Sequence, residues 1–243
     1  MDPISQFEQE KKERIEAFGG DEQLQKLGFE WLKESMSKLY VYNFNWMGRP
    51  IIQTPQDMFA MQEIIWKVKP DLIIETGIAH GGSLVYYASL LEMMGKGEVL
   101  GIDIDIRVHN KKLIEEHPMY KRIMMIEGSS VDKEVIEKVR EVAAEKEVVL
   151  VCLDSNHTHD HVLSELRNYS AMVTKGSYII VFDTHVEDMP AEYTANRPWG
   201  PGNSPKTAAR VFLKETGDFE LDTEFQNKVV ATTMRDGCLL KVN

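Results

Sequence analysis

The chain has 243 residues and a formal net charge of −11, from 39 acidic and 28 basic side chains. That length holds one large domain, or one domain with an extension, and the charge excludes non-specific binding to a phosphate backbone. Two cysteines far apart in apolar contexts, Cys152 and Cys238, exclude a disulfide scaffold and a zinc ribbon, and no apolar run approaches the ~20 residues of a membrane span.

Met1-Asp2-Pro3-Ile4 leads into charge, not into the apolar core of a signal peptide. A reducing cytoplasm is therefore expected. Residues 4–18 are mostly charged, with Ile4, Phe7, Ile15 and Phe18 at helical spacing, which predicts an amphipathic helix ended by Gly19-Gly20. A second helix is expected over 22–38, with Leu24, Leu27, Trp31 and Leu32 as its apolar stripe. Residues 39–53 are aromatic and irregular, and could pack over a cleft edge. Thr54-Pro55-Gln56-Asp57 reads as a helix start, with a capping hydroxyl, a proline at the first position and an acid in the first turn. Pro70 ends that helix. Residues 1–69 are thus an N-terminal helical extension and 70–243 the main domain.

Asp71-Leu-Ile-Ile-Glu75-Thr-Gly77-Ile-Ala-His80-Gly81-Gly82-Ser83 then reads as strand, tight turn and helix, the opening unit of a doubly wound α/β domain. Gly77, Gly81 and Gly82 let a ligand lie close to the backbone, and the following helix adds free N–H groups. The spacing G-x-x-x-G-G departs from the dinucleotide fingerprint. Glu75 just before the turn would repel a pyrophosphate and attract an ammonium. That favours S-adenosylmethionine over NAD.

The second strand, 98–105, delivers Asp103 and Asp105. An acid there can accept from both hydroxyls of a ribose, and Asp103 is the candidate, with Asp105 its neighbour. A third strand, 123–127, runs into Gly128-Ser129-Ser130, whose small hydroxyls suit an adenine edge. The fourth strand, 148–153, is apolar throughout, as a central parallel strand should be. It carries Asp154-Ser-Asn-His157 to the edge of the sheet where ligands bind. The fifth strand, 177–182, ends at Asp183-Thr184. Two neighbouring strands each ending in an aspartate could hold Mg²⁺, with His157 as general base.

Residues 186–206, with four prolines, read as a lid. Its Tyr193, Arg197 and Trp199 could select an acceptor, and Arg197 and Lys206 could pair with a phosphate. Segments 219–222, 228–232 and 237–242 are expected as terminal strands, the last two an antiparallel pair. A rival reading takes His157-Thr-His159-Asp160-His161 as a zinc-hydrolase cluster. Another takes the chain as a non-catalytic partner module with the same fold.

The segments Glu75–Leu84, Gly101–Asp105, Gly128–Ser130, Leu153–His157, Val181–Thr184 and Arg197–Asn203 resemble the cephalosporin-hydroxylase-named group of methyltransferases, which includes rhamnosyl O-methyltransferases. More distantly they resemble the macrocin and mycinamicin sugar O-methyltransferases. The resemblance implies a Rossmann-like class I methyltransferase: a mostly parallel seven-stranded sheet with a C-terminal antiparallel hairpin. It implies methyl transfer from S-adenosylmethionine to the hydroxyl of a sugar or nucleotide-linked sugar. The donor set it implies is Glu75, Thr76, Gly77, Gly81, Gly82, Ser83, Asp103, Ile104, Asp105, Ser129, Ser130 and Asp154. Asp154 and His157 become the catalytic pair, and Asp154, Asp183 and Thr184 the Mg²⁺ ligands. Phe182 stands where relatives commonly carry an acid, and Thr184, a water or His185 would fill in. A homo-oligomer is expected from the N-terminal helices and the aromatic stretch.

Overall fold

The computed structural model describes residues 2–243 and opens with helices α1 (Pro3–Gly20) and α2 (Glu22–Ser37). Asp2 caps the first by accepting from the Ile4 and Ser5 amides, and Asp21 caps the second by accepting from Leu24. Of the apolar stripe expected on α1, only Ile15 is buried, while Ile4, Phe7 and Phe18 face solvent. On α2 the buried positions are Gly28, Leu32 and Met36, and Leu27 and Trp31 are exposed.

The aromatic stretch is more regular than its composition suggests. A 3₁₀ turn over Tyr40–Asn43 leads into an antiparallel hairpin of β1 (Phe44–Trp46) and β2 (Arg49–Ile51). Met47 and Gly48, at φ 45° and 86°, form its two-residue turn, the geometry that matches strand twist. Helix α3 (Pro55–Val68) starts as expected, with the Thr54 hydroxyl accepting from the Asp57 amide, and stops at Lys69 in the left-handed region.

The main sheet follows. Its elements are β3 (Leu72–Thr76), α4 (Gly82–Met94), β4 (Glu98–Asp103), α5 (Val108–Glu115), β5 (Ile123–Glu127), α6 (Lys133–Ala144), β6 (Val149–Leu153), α7 (His159–Tyr169), β7 (Tyr178–Val181), α8 (Pro205–Glu215), β8 (Phe219–Leu221), α9 (Glu224–Val229) and β9 (Cys238–Lys241). The strand order is β5-β4-β3-β6-β7-β9-β8. The first five are parallel, and β9 lies antiparallel to both β7 and β8. This is the expected seven-stranded sheet with its C-terminal antiparallel pair.

One expected strand is absent. Most of the 228–232 segment belongs to α9 and the turn after it. The Asp222 carboxylate accepts from the Glu224 amide, and Phe225 packs edge-on against Tyr178. That hydrogen bond at the helix start and the buried aromatic outweigh the strand preference of Val229-Val230. The terminal pair is therefore β8 with β9, not 228–232 with 237–242.

Apolar residues cover both faces of the sheet. Ala60, Met61, Ile64 and Ile65 of α3 and the inner side of α4 pack on one face, so α3 shares the core of the main domain. α6, α7 and α8 pack on the other face. Asp57 ties α3 to the segment before β9. Its carboxylate is fully buried and accepts from the Thr232 hydroxyl, from the Thr233 amide at 2.9 Å and from the Thr233 hydroxyl at 2.7 Å. Removing it leaves three donors without an acceptor. Asp57→Ala is expected to lose about 2–4 kcal/mol of stability in urea denaturation. A loss below ~0.5 kcal/mol would show that the tether is not structural.

Candidate active site

The strand order reverses between β3 and β6, and at their carboxyl ends a cavity of about 900 Å³ opens. A crevice at such a switch point is where open α/β sheets bind ligands. Two glycines shape its floor. A Cβ on Gly77, at φ 93°, would lie 2.1 Å from the Asp154 carbonyl oxygen. A Cβ on Gly82 would lie 2.1 Å from that of Pro50, so the N-terminus of α4 is pressed directly against β2. Gly81, by contrast, caps α4 in the left-handed region and backs onto Ile114, away from the cavity wall.

The acids distribute themselves unequally. Glu75 lies beneath the turn and is 0% exposed, so it is not on the cavity surface. Its Oε2 accepts from the Ser83 hydroxyl at 2.7 Å, and its Oε1 has no partner. Burial pushes its carboxyl up to about 8. The Thr76 hydroxyl is likewise buried without a partner. Asp103 faces the cavity, and its carboxylate holds the glycine turn, accepting from the Ile78 and Ala79 amides at 2.8 and 3.2 Å. Ile104, Ser129 and Ser130 line the same end. Asp105 does not. It points to solvent 3.8 Å from Arg107, because β4 ends at Asp103 and the chain turns outward.

At the other end, the pairing of β6 with β7 sets Asp154 and Asp183 side by side. With His157 they form one group, each offering a ligand atom within 4.8 Å of the others. His157 and Asp183 both take left-handed backbone conformations, at φ 63° and 54°. These are uncommon for residues other than glycine, and such strain concentrates at functional sites. Burial, then the neighbouring Asp183 and Glu75 carboxylates, hold the Asp154 carboxyl well above the usual range. Asp183 is flanked by two imidazoles. His157 Nε2 lies 3.7 Å from its Oδ2, and His185 Nδ1 lies 3.7 Å from its Oδ1. Thr184 does not join this group. It is fully buried, off the cavity wall, and its hydroxyl donates to the Thr233 carbonyl at 3.1 Å.

The proposed zinc cluster does not assemble. His157 stays with the aspartates, His159 Nδ1 pairs with the Thr207 hydroxyl at 2.8 Å, and His161 Nε2 sits 3.0 Å from the Ser130 hydroxyl. Lys206 is not available for a phosphate either. Its ammonium is buried between Asp188 and Asp236 at 2.6 and 2.9 Å, anchoring the 186–206 loop to the body. Arg197 and Trp199 do line the cavity, with Trp199 edge-on to His157 at 5.4 Å between ring centres.

Two side chains at the site, Gln53 and Glu165, carried no recognised signal in the sequence. Gln53 lines the cavity from a segment without periodicity. Glu165, buried on α7, accepts from the Ser130 and Ser155 hydroxyls at 2.6 and 2.8 Å. Its i,i+4 spacing from His161 places both on one helix face. His185, the alternative weighed beside Thr184, does lie next to Asp183 and is 3% exposed with neither ring nitrogen hydrogen-bonded.

Residues 38–242 match the model of the family described as rhamnosyl O-methyltransferase/CmcI. The rhamnosyl O-methyltransferase of Mycobacterium tuberculosis H37Rv is 28% identical over 216 residues, 86% of this chain and 84% of that protein. That of Mycobacterium leprae is 28% identical over 218 residues, 86% of this chain and 90% of that one. A solved structure of CmcI described with Mg and SAM has the same fold, with a TM-score of 0.59 at 20% identity, covering 83% of this chain and 78% of that one. No helix among the described residues is long and apolar enough to cross a membrane.

Glu75 gives the fold a pH signature. Its folded value of about 8 lies above the ~4.3 of an unfolded glutamate. The folded chain therefore holds the extra proton through that window, and this contribution to stability is full at low pH and is lost as pH rises through 8. Glu75→Gln keeps the neutral shape and removes the slope. Chemical denaturation is expected to show the variant gaining on the parent between pH 5 and 8.5 by at least ~1 kcal/mol. A difference independent of pH would contradict the burial of a neutral acid.

Proposed function

The chain belongs to the rhamnosyl O-methyltransferase/CmcI family of S-adenosylmethionine-dependent O-methyltransferases, and on that premise we propose that its acceptor is a sugar hydroxyl, with Asp154 and Asp183 holding a divalent cation and His157 taking the hydroxyl proton. The observation that carries this reading is the meeting of Asp154, His157 and Asp183 beside the Gly77 turn. The names of the mycobacterial relatives support the choice of a sugar.

The residues fit both absent groups. Gly77 and Gly82 line the cavity where a Cβ would fill it, and Asp103, Ser129 and Ser130 stand at the end that would take a nucleoside. The clustered carboxylates of Asp154 and Asp183 lack a neighbouring lysine or arginine among the described ion pairs. Oxygen donors of this kind suit Mg²⁺, with waters and acceptor oxygens completing its shell. A bound cation would lower the pKa of an acceptor hydroxyl.

In this reading His157 would accept that proton, and the acceptor oxygen would bond to the methyl carbon as the carbon–sulfur bond broke. The Asp183 carboxylate, 3.7 Å from the ring, would steady by its charge the imidazolium that results. Trp199 packs on the imidazole edge and limits its swing. Asp103 keeps the glycine turn closed, and Ser129, Ser130 and Ile104 flank the space beside it for a nucleoside.

Transfer from S-adenosylmethionine to a panel of deoxyhexose-terminated glycosides, read by mass, tests the proposal. The parent is expected to methylate at least one, to stop on chelation with EDTA and to resume with Mg²⁺. His157→Ala is expected to lose about 10²–10⁴-fold in turnover with donor affinity kept within a few-fold. Full activity of His157→Ala would remove the base, and full activity in EDTA would remove the cation.

A further inference from the structure

Among the described residues that line the cavity, Arg197 is the only lysine or arginine. It comes from the 186–206 loop, whose other cation, Lys206, is spent on Asp188 and Asp236. Arg197 pairs with no carboxylate among the described ion pairs, although Asp183 lines the same cavity. An arginine kept there only to balance the acids would close on one of them. The segment that carries it is built, not loose. The Arg197 amide donates to the Thr194 carbonyl at 2.9 Å, Gly200 and Asn203 exchange two backbone hydrogen bonds, and the Asn203 side chain donates to the Pro198 carbonyl at 2.9 Å.

Its surroundings say what it would meet. The guanidinium carbon stands over the Trp199 ring, 5.5 Å from its centre, and Trp199 in turn meets His157 edge-on. A guanidinium held over an indole is fixed in place and keeps its N–H fork for an oxyanion. Tyr193, on the same loop, lies within electrostatic reach of Arg197, Asp183 and Tyr42. Burial, then the Asp183 carboxylate, push its phenol up to about 12, so it remains a hydroxyl donor at neutral pH. Leu39 and Tyr42 line the same cavity from the segment before β1. The side of the cavity next to His157 thus has apolar and aromatic walls, as a sugar ring needs, and one positive charge that a neutral sugar does not need.

We propose that the acceptor carries one oxyanion, a carboxylate or a phosphodiester, on the methylated sugar or on the unit joined to it, and that Arg197 receives it with the Tyr193 hydroxyl alongside. A single guanidinium suits a single negative charge, and its planar fork matches two oxygens of either group. This rests on the reading of Asp154, His157 and Asp183 as the end where a sugar hydroxyl is methylated, and adds the class of sugar that is taken. Arg197 selects the acceptor and takes no part in the proton transfer.

Matched acceptors that differ in charge test it: a hexuronate glycoside against its methyl ester, and a glycosyl phosphodiester against the same sugar without the phosphate. The parent is expected to favour the charged member of at least one pair by about five- to fiftyfold in kcat/KM, the range of a charged hydrogen bond at a partly solvated site. The difference is expected in KM. The pair that shows it tells carboxylate from phosphate. Arg197→Gln is expected to bring that ratio to within about twofold while S-adenosylhomocysteine affinity stays within a few-fold of the parent. Arg197→Lys, which keeps the charge without the fork, is expected to fall between. Equal kcat/KM within both pairs for the parent, or a preference that survives Arg197→Gln, would overturn the proposal and leave the sugar methyltransferase reading standing. A parent that binds S-adenosylhomocysteine but methylates no glycoside, charged or neutral, would overturn the sugar-acceptor reading together with it.

Discussion

Carboxyl groups gathered where the sheet splits are the constraint on which this structure depends. Glu75, Asp154 and Asp183 lie around one crevice, and Asp154 is raised by both of the others. Carboxylates forced together out of water are unstable as a set unless they stay protonated or a cation arrives. No lysine or arginine among the described residues pairs with any of the three. A sulfonium-bearing donor with an ammonium at one end, and a divalent cation at the other, would supply the missing charge.

The rest of the molecule holds that crevice in shape. Asp103 spends its carboxylate on the glycine turn, and β2 fixes the start of α4 through backbone contact. Lys206, sunk between Asp188 and Asp236, pins the long loop whose Trp199 touches His157. Glu187 adds to that anchoring by accepting from the Gly202 amide and the Ser204 hydroxyl. Asp57 does the same on the opposite side, gripping Thr232 and Thr233 so that Thr233 forms part of the cavity wall. Buried charge is used here for position: each of these groups joins segments distant in sequence.

Much of this was legible in the residues because parallel strands announce themselves. The apolar runs ending in Glu75, Asp103, Asp154 and Asp183 carried their acids to one edge, and the reversal of strand order did the rest. Failures came where a local signal competed with tertiary packing. Val229-Val230 looked like strand until the Asp222 hydrogen bond at the helix start and the burial of Phe225 took precedence. Lys206 looked free until two aspartates far along the chain closed on it. Thr184 and Asp105 adjoin true cavity residues, but each backbone turns one residue early and sends the side chain elsewhere. Gln53 was invisible because it comes from a segment without periodicity, and only the fold brings it to the cavity wall.

On the proposed function, Asp154, Asp183 and the neighbouring imidazole of His157 form the reacting end of the crevice. Anomalous diffraction from crystals grown with Mn²⁺ and S-adenosylhomocysteine examines it most directly. One strong peak is expected beside the carboxylates of Asp154 and Asp183, with the homocysteine sulfur in the same cavity. A cation bound at another place, or a nucleoside lodged away from Gly77 and Asp103, would contradict it.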